Sequence, residues 1–459
     1  MKVINVEKKQ SKKNPLKRSM TGLEVEMHII DSEGGITSKG FGLIKKIKKR
    51  YPSVEVFREV GKNLLELGTY PDIYTFNPAL EMINSIQKVI RVAKKNGLRV
   101  YPFGTYPGKF KSKFTPSPDG KYEIKRKILG DEKFDLGPKA AGFHHHYALP
   151  KGIFDENKKE LKLLIDSKLK RSLINSYNFE IAIDPILTLL TQSSPFLDGQ
   201  QLAKNSRMLA YRGGRKLKYP GLYSKHQQFG GLPPYKQTET DLIHSLKRRQ
   251  KRWFRLIKKV EENADLRKMY PYNLDISWNP VKINKHGTLE QRGMDMNYLS
   301  IILGLSASIK FCLKKIQRDF IEVIPSDRGI SEPFKIKKGV LFIPPHTYVR
   351  EKLQKASAYK GFQDNELYEY AKKFFRFVRS LAPERYYPLL EKIKTMIDKR
   401  ISISDEMLNY AKRKNLINRY NKISNKNAQI LALHFSKKFE KDLKETKRIV
   451  KKIAIEENK

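Results

Sequence analysis

The sequence predicts an α+β fold, and three observations carry that expectation. Stretches in which apolar and ionisable residues alternate with a period of two recur between residues 20 and 292. Amphipathic helical stretches separate them at irregular intervals, without the regular strand–helix alternation of a parallel α/β chain. Beyond about residue 296 the pattern is mostly helical. The chain has 459 residues, 39% hydrophobic and 31% charged, which is a globular composition with apolar material for one large or two to three ordinary domains.

In order along the chain, residues 1–19 form a basic arm with seven Lys/Arg against one acid. Leu23, Val25, Met27 and Ile29 then alternate with Glu24, Glu26 and His28, the pattern of a half-buried strand, and residues 31–35 supply its turn. A short basic helix is expected at 42–49, strand-like pieces around Gly61 at 54–67, and an amphipathic helix at 79–95 that Asn96-Gly97 terminates. A strand at 99–103 precedes a Gly/Pro/Lys-rich loop at 104–120, a setting that often carries function. Residues 158–192 are helical in pattern. The stretch 241–263 reads as a helix burying Leu242, Leu246, Trp253, Ile257 and Val260. A strand at 288–292, an apolar helix at 296–313 and amphipathic helices at 368–381 and 389–399 follow. The last stretch, with Phe435, Phe439, Leu443, Val450 and Ile453 among Lys and Glu, reads as a charged terminal helix or one that docks a partner.

Charge and composition bound the function. The formal net charge of +45 attracts polyanions, so nucleic acid is the first partner that composition suggests, through non-specific charge alone. The basic residues are spread along the chain and no zinc finger, KH, basic-zipper or RRM signature accompanies them. A single cysteine, Cys312, excludes a disulfide framework and fits a reducing compartment, so a cytoplasmic location is expected. No run of 18 apolar residues is present, and the N-terminus lacks the apolar segment of a signal peptide; neither a membrane span nor a membrane partner is expected.

Four segments place ionisable groups on one strand face. Glu24 and Glu26 lie two apart, so their carboxylates share a side, either as an exposed strand face or around a cation that offsets their repulsion. Glu59 and Glu66 flank Gly61, as surface acids or as further ligands. In Gly142-Phe143-His144-His145-His146-Tyr147, His144 and His146 share a face, which suits a metal or phosphate site as well as a structural role. Glu290 and Arg292 also share a face, as an ion pair or as a cation-holding acid beside a phosphate-binding guanidinium, with Asp295 following. Many acids with few imidazoles and no thiol favour Mg²⁺ or Mn²⁺ over zinc. There is no P-loop, G-x-S-x-G elbow, H-E-x-x-H or G-x-G-x-x-G motif.

The ordered segments G-L-E-V-E at 22–26, E-V-G-K-N-L-L-E-L at 59–67, G-F-H-H-H at 142–146 and T-L-E-Q-R at 288–292 resemble glutamate–cysteine ligase family 2, a family of carboxylate-amine ligases. Gly104-Thr105-Tyr106-Pro107, Ser193-Ser194-Pro195-Phe196 and Ser206-Arg207 look like further family segments. The resemblance runs from about residue 20 to 310. It implies a curved antiparallel sheet funnel of the glutamine synthetase/guanidino kinase type, flanked by helices, with a helical C-terminal part. The catalytic domain would then span 20–415, helical from about 349, and 416–459 would be a basic helical extension.

The resemblance also implies ATP and Mg²⁺ or Mn²⁺ as cofactors and amino acids as small-molecule substrates. One metal would be held by Glu26, His144 and Glu290, a second by Glu24, Glu59 and Glu66. His146 and Arg207 would face the nucleotide, and Arg292, with Glu290, would act catalytically on the γ-phosphoryl group. The reaction implied is ATP-dependent joining of glutamate or a similar acid to an amine such as cysteine through an acyl phosphate. A homo-oligomer is the expected assembly. Tyr106 stands in place of a family His, and Trp278-Asn279-Pro280 in place of an Arg-Pro step; both departures are expected beside the amino acid or nucleotide. Two other readings are a nucleic-acid-associated protein with a decayed metal site and a metal-dependent phosphohydrolase.

Overall fold

The computed structural model describes residues 19–162 and 167–458, so all but the last residue of the expected basic arm lies outside the described residues. Seven strands form one sheet: β1 (Thr21–Asp31), β2 (Val56–Arg58), β3 (Leu64–Gly68), β4 (Leu98–Tyr101), β5 (Gly142–Ala148), β6 (Val281–Asn284) and β7 (Thr288–Asp295). Their order is β6-β7-β5-β1-β3-β2, with β4 also paired to β1, and every pairing is antiparallel. The helices used below are α1 (Gly40–Arg50), α2 (Phe76–Lys95), α3 (Lys121–Leu129), α4 (Lys168–Leu190), α5 (Ser206–Tyr211), α6 (Glu239–Val260), α7 (Leu299–Arg318), α8 (Asn365–Leu381), α9 (Tyr387–Lys399) and α10 (Asn425–Glu457).

The period of two in β1 and β5 divides the sheet into two chemical faces. Leu23, Val25 and Met27 join Phe143, Tyr147, Leu65 and Leu67 in the core, where α4 packs on β7 and α7 on β5. From Ser176 to Leu190 helix α4 is buried all round, as expected of a helix enclosed by protein rather than lying at its surface. His145 shares the core face, and burial pushes its imidazole down to about 3, so it is held neutral.

One expected element is shorter. The helix predicted over 158–192 begins only at Lys168, after Ser167 caps it by accepting a hydrogen bond from the Lys170 amide. Ahead of it, Phe154–Asp155 and Glu160–Leu161 form a two-stranded hairpin. The Asp155 carboxylate accepts from the Asn157 and Lys158 amides at 3.0 Å each and so fixes a turn that helical periodicity does not register. In α6, Trp253 and Ile257 are fully buried, while Val260 at the end of the helix is half-buried.

The terminal helix belongs to the core of the sheet domain. Leu431, Phe435, Phe439, Leu443, Val450 and Ile453 are all buried, and α10 packs on α2, β4 and α7. The rings of Phe435 and Phe439 lie 5.9 and 6.5 Å from that of Phe103. No helix among the described residues is long and apolar enough to cross a membrane.

Candidate active site

Strand register assembles the polar face. Antiparallel pairing sets Glu24 opposite His144, Glu26 opposite Glu66, and His146 opposite Glu290. Residues from four sequence segments far apart in the chain therefore become neighbours. His144 Nδ1 lies 3.0 Å from Glu24 Oε2 and 3.9 Å from Glu290 Oε1, while its Nε2 lies 3.7 Å from Glu26 Oε1. His146 Nε2 lies 3.3 Å from Glu24 Oε2, and its Nδ1 is 2.9 Å from Thr288 Oγ1. Glu26 is oriented by the Gly142 amide, which donates to its Oε2 at 2.6 Å.

The donor atoms close into three overlapping groups: Glu24, Glu66 and His144; Glu24, His146 and Glu290; Glu26, Glu59 and Glu66. This division differs from the two sets that the family resemblance implied. His146, expected to face nucleotide phosphates, sits among the acids with Glu24 and Glu290. The cause is the register, which puts His144 across from Glu24 and His146 across from Glu290.

The electrostatics fit a site for hard divalent cations. Burial works against ionisation of every carboxyl here, and the local partners decide the outcome. Burial and repulsion from Glu26 push Glu59 up to about 7, and burial with repulsion from Glu59, Glu24 and Glu26 holds Glu66 well above the usual carboxylate range. In Glu290 burial is outweighed by Lys282, Arg292 and His146, which bring it down to about 2. In Glu24 burial is outweighed by His146 and His144, and its carboxyl lies well below its ordinary value. His146 is raised because the fields of Glu24 and Glu290 outweigh its burial. The Nε2 atom of His144 is buried without a hydrogen-bond partner. Crowded oxygens that resist ionising together, beside an orphaned imidazole nitrogen, are the donor set that Mg²⁺ or Mn²⁺ would complete.

The cationic side of the site comes from β7 and α5. A bulge in β7 between Gln291 and Met294 disrupts the ladder beside Arg292. Arg292 Nη1 lies 3.3 Å from Glu290 Oε1, and its amide donates to Pro280 at 2.7 Å. Arg207 on α5 donates to the carbonyls of Gly293 and Arg292 at 3.3 and 3.5 Å. A Cβ on Gly142 would lie 2.1 Å from Arg207 Nη2, so the approach of this guanidinium to β5 needs a glycine there. Asp295 turns away from the acids. It accepts from the Ser193 amide at 3.1 Å and from Ser194 Oγ at 2.6 Å, and Ser194 Oγ in turn accepts from the Arg207 amide at 3.2 Å.

The seven predicted metal and phosphate groups, Glu24, Glu26, Glu66, His144, His146 and Glu290 on the strands and Glu59 in the loop after β2, meet with Arg292 on this face, and Arg207 lies at its edge. Sequence reasoning missed two lysines. Lys282 on β6 pairs in register with Glu290, its Nζ 3.8 Å from Oε2. Lys125 on α3 lies with its Nζ 3.9 Å from the ring centre of Trp278 and 5.2 Å from that of Tyr223. Burial pushes Lys125 down to about 7, with the field of Arg292 acting in the same direction and that of Glu59 against it. No motif marks Lys125 among 93 basic residues, whereas Lys282 was recoverable from its two-residue spacing to Asn284, which also bonds Glu290 Oε2.

The two departures from the family pattern separate in the structure. Trp278 lies at the site beside Lys125. Tyr106, expected near the substrate, is buried away from the acids, packed on Tyr101 and Phe110, and donates to the Gly34 carbonyl at 2.9 Å. The Tyr106 ring is part of the main hydrophobic core.

Comparison with known proteins agrees with this architecture. The chain superposes on a bifunctional glutathione synthetase from Pasteurella multocida with a TM-score of 0.58 at 13% identity, over 92% of this chain and 52% of that one. It therefore spans about half of that enzyme's length. A glutamate–cysteine ligase from Francisella tularensis, solved in complex with AMP, aligns with a TM-score of 0.55 at 13% identity, over 96% of this chain and 94% of that one. At such identities the likeness is one of fold. No curated protein sequence gives a significant match. The model of the glutamate–cysteine ligase family 2, however, matches residues 20–296, more than half of the chain, and the protein belongs to that family of carboxylate-amine ligases.

Proposed function

We propose that this protein is an ATP-dependent carboxylate-amine ligase that activates glutamate or a similar acid as an acyl phosphate and joins it to an amine such as cysteine. The observation that supports this most strongly is the convergence of Glu24, Glu26, Glu59, Glu66, His144 and Glu290 on one sheet face beside Arg292. The likeness in fold to a ligase solved with AMP supports a nucleotide in the same region, and the polar sheet face would be the floor of a funnel.

Mg²⁺ or Mn²⁺, when bound by these carboxylates and imidazoles, would neutralise the phosphate charge and polarise the γ-phosphoryl group. The chain's own groups then have distinct tasks. Arg292, kept fully protonated by Glu290 and further acids despite its burial, stabilises the charge that develops on the γ-phosphoryl oxygens. Arg207, fixed by the bulge carbonyls and by Ser194, presents a second guanidinium at the edge. Lys125 and Trp278 form a wall at which an anionic group of a substrate is held. A substrate carboxylate oxygen attacks the γ-phosphorus and the β–γ bridging bond breaks to release ADP. The amine then attacks the acyl carbon, inorganic phosphate leaves, and the ammonium proton passes to solvent.

The test is ADP release with Mg²⁺, ATP, a panel of amino acids and a panel of amines. Release that requires both an acid and an amine, with an amide product by mass spectrometry, is the expected result. Release that needs neither contradicts the ligase and favours a phosphohydrolase.

A further inference from the structure

A second cationic cavity lies between α6, the loop at residues 227–236, and Arg350. Its volume is about 460 Å³, and Lys236, Arg248, Arg249, Arg252 and Arg350 line it together with Asn279. Arg249 is the anomaly. The residue is only 8% exposed, yet no acid pairs with it among the described residues: Nη1 donates to Ser277 Oγ at 3.1 Å, and Tyr177 is its other hydrogen-bond partner. An arginine withdrawn from water without a counter-ion is costly, so native structures pair it or bring it a ligand.

The acids around the cavity are engaged elsewhere: Glu351, whose carboxylate feels the field of Arg350, is paired with Lys216. None of the other four cations forms an ion pair among the described residues. Asp241, whose field reaches Lys236, is held in the capping box with Thr238 at the start of α6. Burial and the fields of Arg249 and Arg248 depress the Lys236 ammonium, so the cations repel one another across the cavity.

The walls are preorganised. Lys236 is fixed through its backbone, with its amide donating to Asn178 Oδ1 at 2.8 Å and its carbonyl accepting from Asn178 Nδ2 at 2.7 Å. Pro233 and Pro234 stiffen the loop. Asn279 donates to the Gly231 carbonyl at 2.6 Å and accepts from Ser277 Oγ at 2.7 Å, which ties the Arg249 anchor to the loop. A rigid concave surface with five cations, one of them buried, is matched to a compact polyanion rather than to a monovalent carboxylate.

We propose that this cavity is a binding site for a small phosphate-bearing molecule, a di- or triphosphate or its equivalent, separate from the acidic site on the sheet. Arg249 anchors the most buried phosphoryl oxygens, and Arg248, Arg252, Lys236 and Arg350 take up the remaining charge.

The test is calorimetric titration of the full chain with inorganic pyrophosphate in the absence of divalent metal, for the wild type, Arg249→Gln and the rim double variant Arg248→Gln/Arg252→Gln. Saturable binding in the wild type that weakens at least tenfold in both variants, while ATP·Mg²⁺ binding and ADP release stay within about twofold, is the expected result. The rim variant decides the matter if Arg249→Gln fails to fold. Absence of saturable pyrophosphate binding to the wild type overturns the proposal. Equal affinity in the wild type and the rim variant also overturns it and places the bound anion elsewhere, since a non-specific response to the overall charge is nearly indifferent to two charges.

Discussion

Glu59 is the residue whose protonation most directly reports the strain of the acidic face. Its folded carboxyl sits at about 7 against an ordinary 4.5, owing to burial and the neighbouring Glu26. A raised acid contributes stability that is complete below about pH 4.5 and is lost as pH rises through about 7. Glu59→Gln removes that dependence without changing shape. In metal-free protein the variant is expected to match the wild type near pH 4.5 and to exceed it by about 1 to 3 kcal/mol at pH 8. Thermal or denaturant unfolding across that range measures the difference, and a constant offset at all pH values speaks against carboxylate crowding. Lys125 makes a complementary case. It is an amine brought down to about 7 by burial, with an aromatic face beneath it and no carboxylate partner among the described residues, so a substrate anion bound beside it would favour its charged form. Lys125→Met is expected to raise the KM of one anionic substrate about tenfold while changing kcat less than threefold. A loss confined to kcat assigns the residue to the chemistry instead.

At the scale of elements, what was legible in the sequence was what a local period can carry. Strands β1, β5 and β7 follow from alternation, and the sides on which Glu24, Glu26, His144, His146, Glu290 and Arg292 fall follow with them, because a period of two fixes side. The hairpin of Asp155 and Glu160 was hidden because its cause is a single Asp side chain rather than a period. Which of the candidate donors stand close enough to share an ion was also hidden. Which acid meets which imidazole is set by strand register, and register depends on partners more than a hundred residues away. The same limit applies to α10. Its apolar stripe was visible, but only the packed fold shows Phe435 and Phe439 closing on Phe103. Phe439→Ala is therefore expected to cost about 3 to 5 kcal/mol in equilibrium unfolding of the whole chain, with the sheet and terminal helix lost together. A separate early transition for the terminal helix, or a cost below about 1 kcal/mol, contradicts a shared core.

Across the whole molecule, an apolar sheet face and helices α4, α7 and α10 form a rigid support, and the opposite face gathers six candidate metal-ligating groups and Arg292. The charge of +45 is not evenly answered by acids: the acids at the site cluster on one surface, and cations gather in the α6 cavity. Composition alone suggested nucleic acid because it cannot reveal that arrangement. The central claim is that the acidic face transfers phosphoryl from ATP to a substrate carboxylate. The most direct measurement supplies the acid identified by the substrate panel with ¹⁸O in its carboxylate, together with ATP, Mg²⁺ and the amine, and follows the inorganic phosphate by mass spectrometry. One ¹⁸O per phosphate formed, with turnover lowered at least about 100-fold in Glu290→Gln, is the result predicted. Phosphate that carries no ¹⁸O from the acid and takes its new oxygen from water would contradict the account.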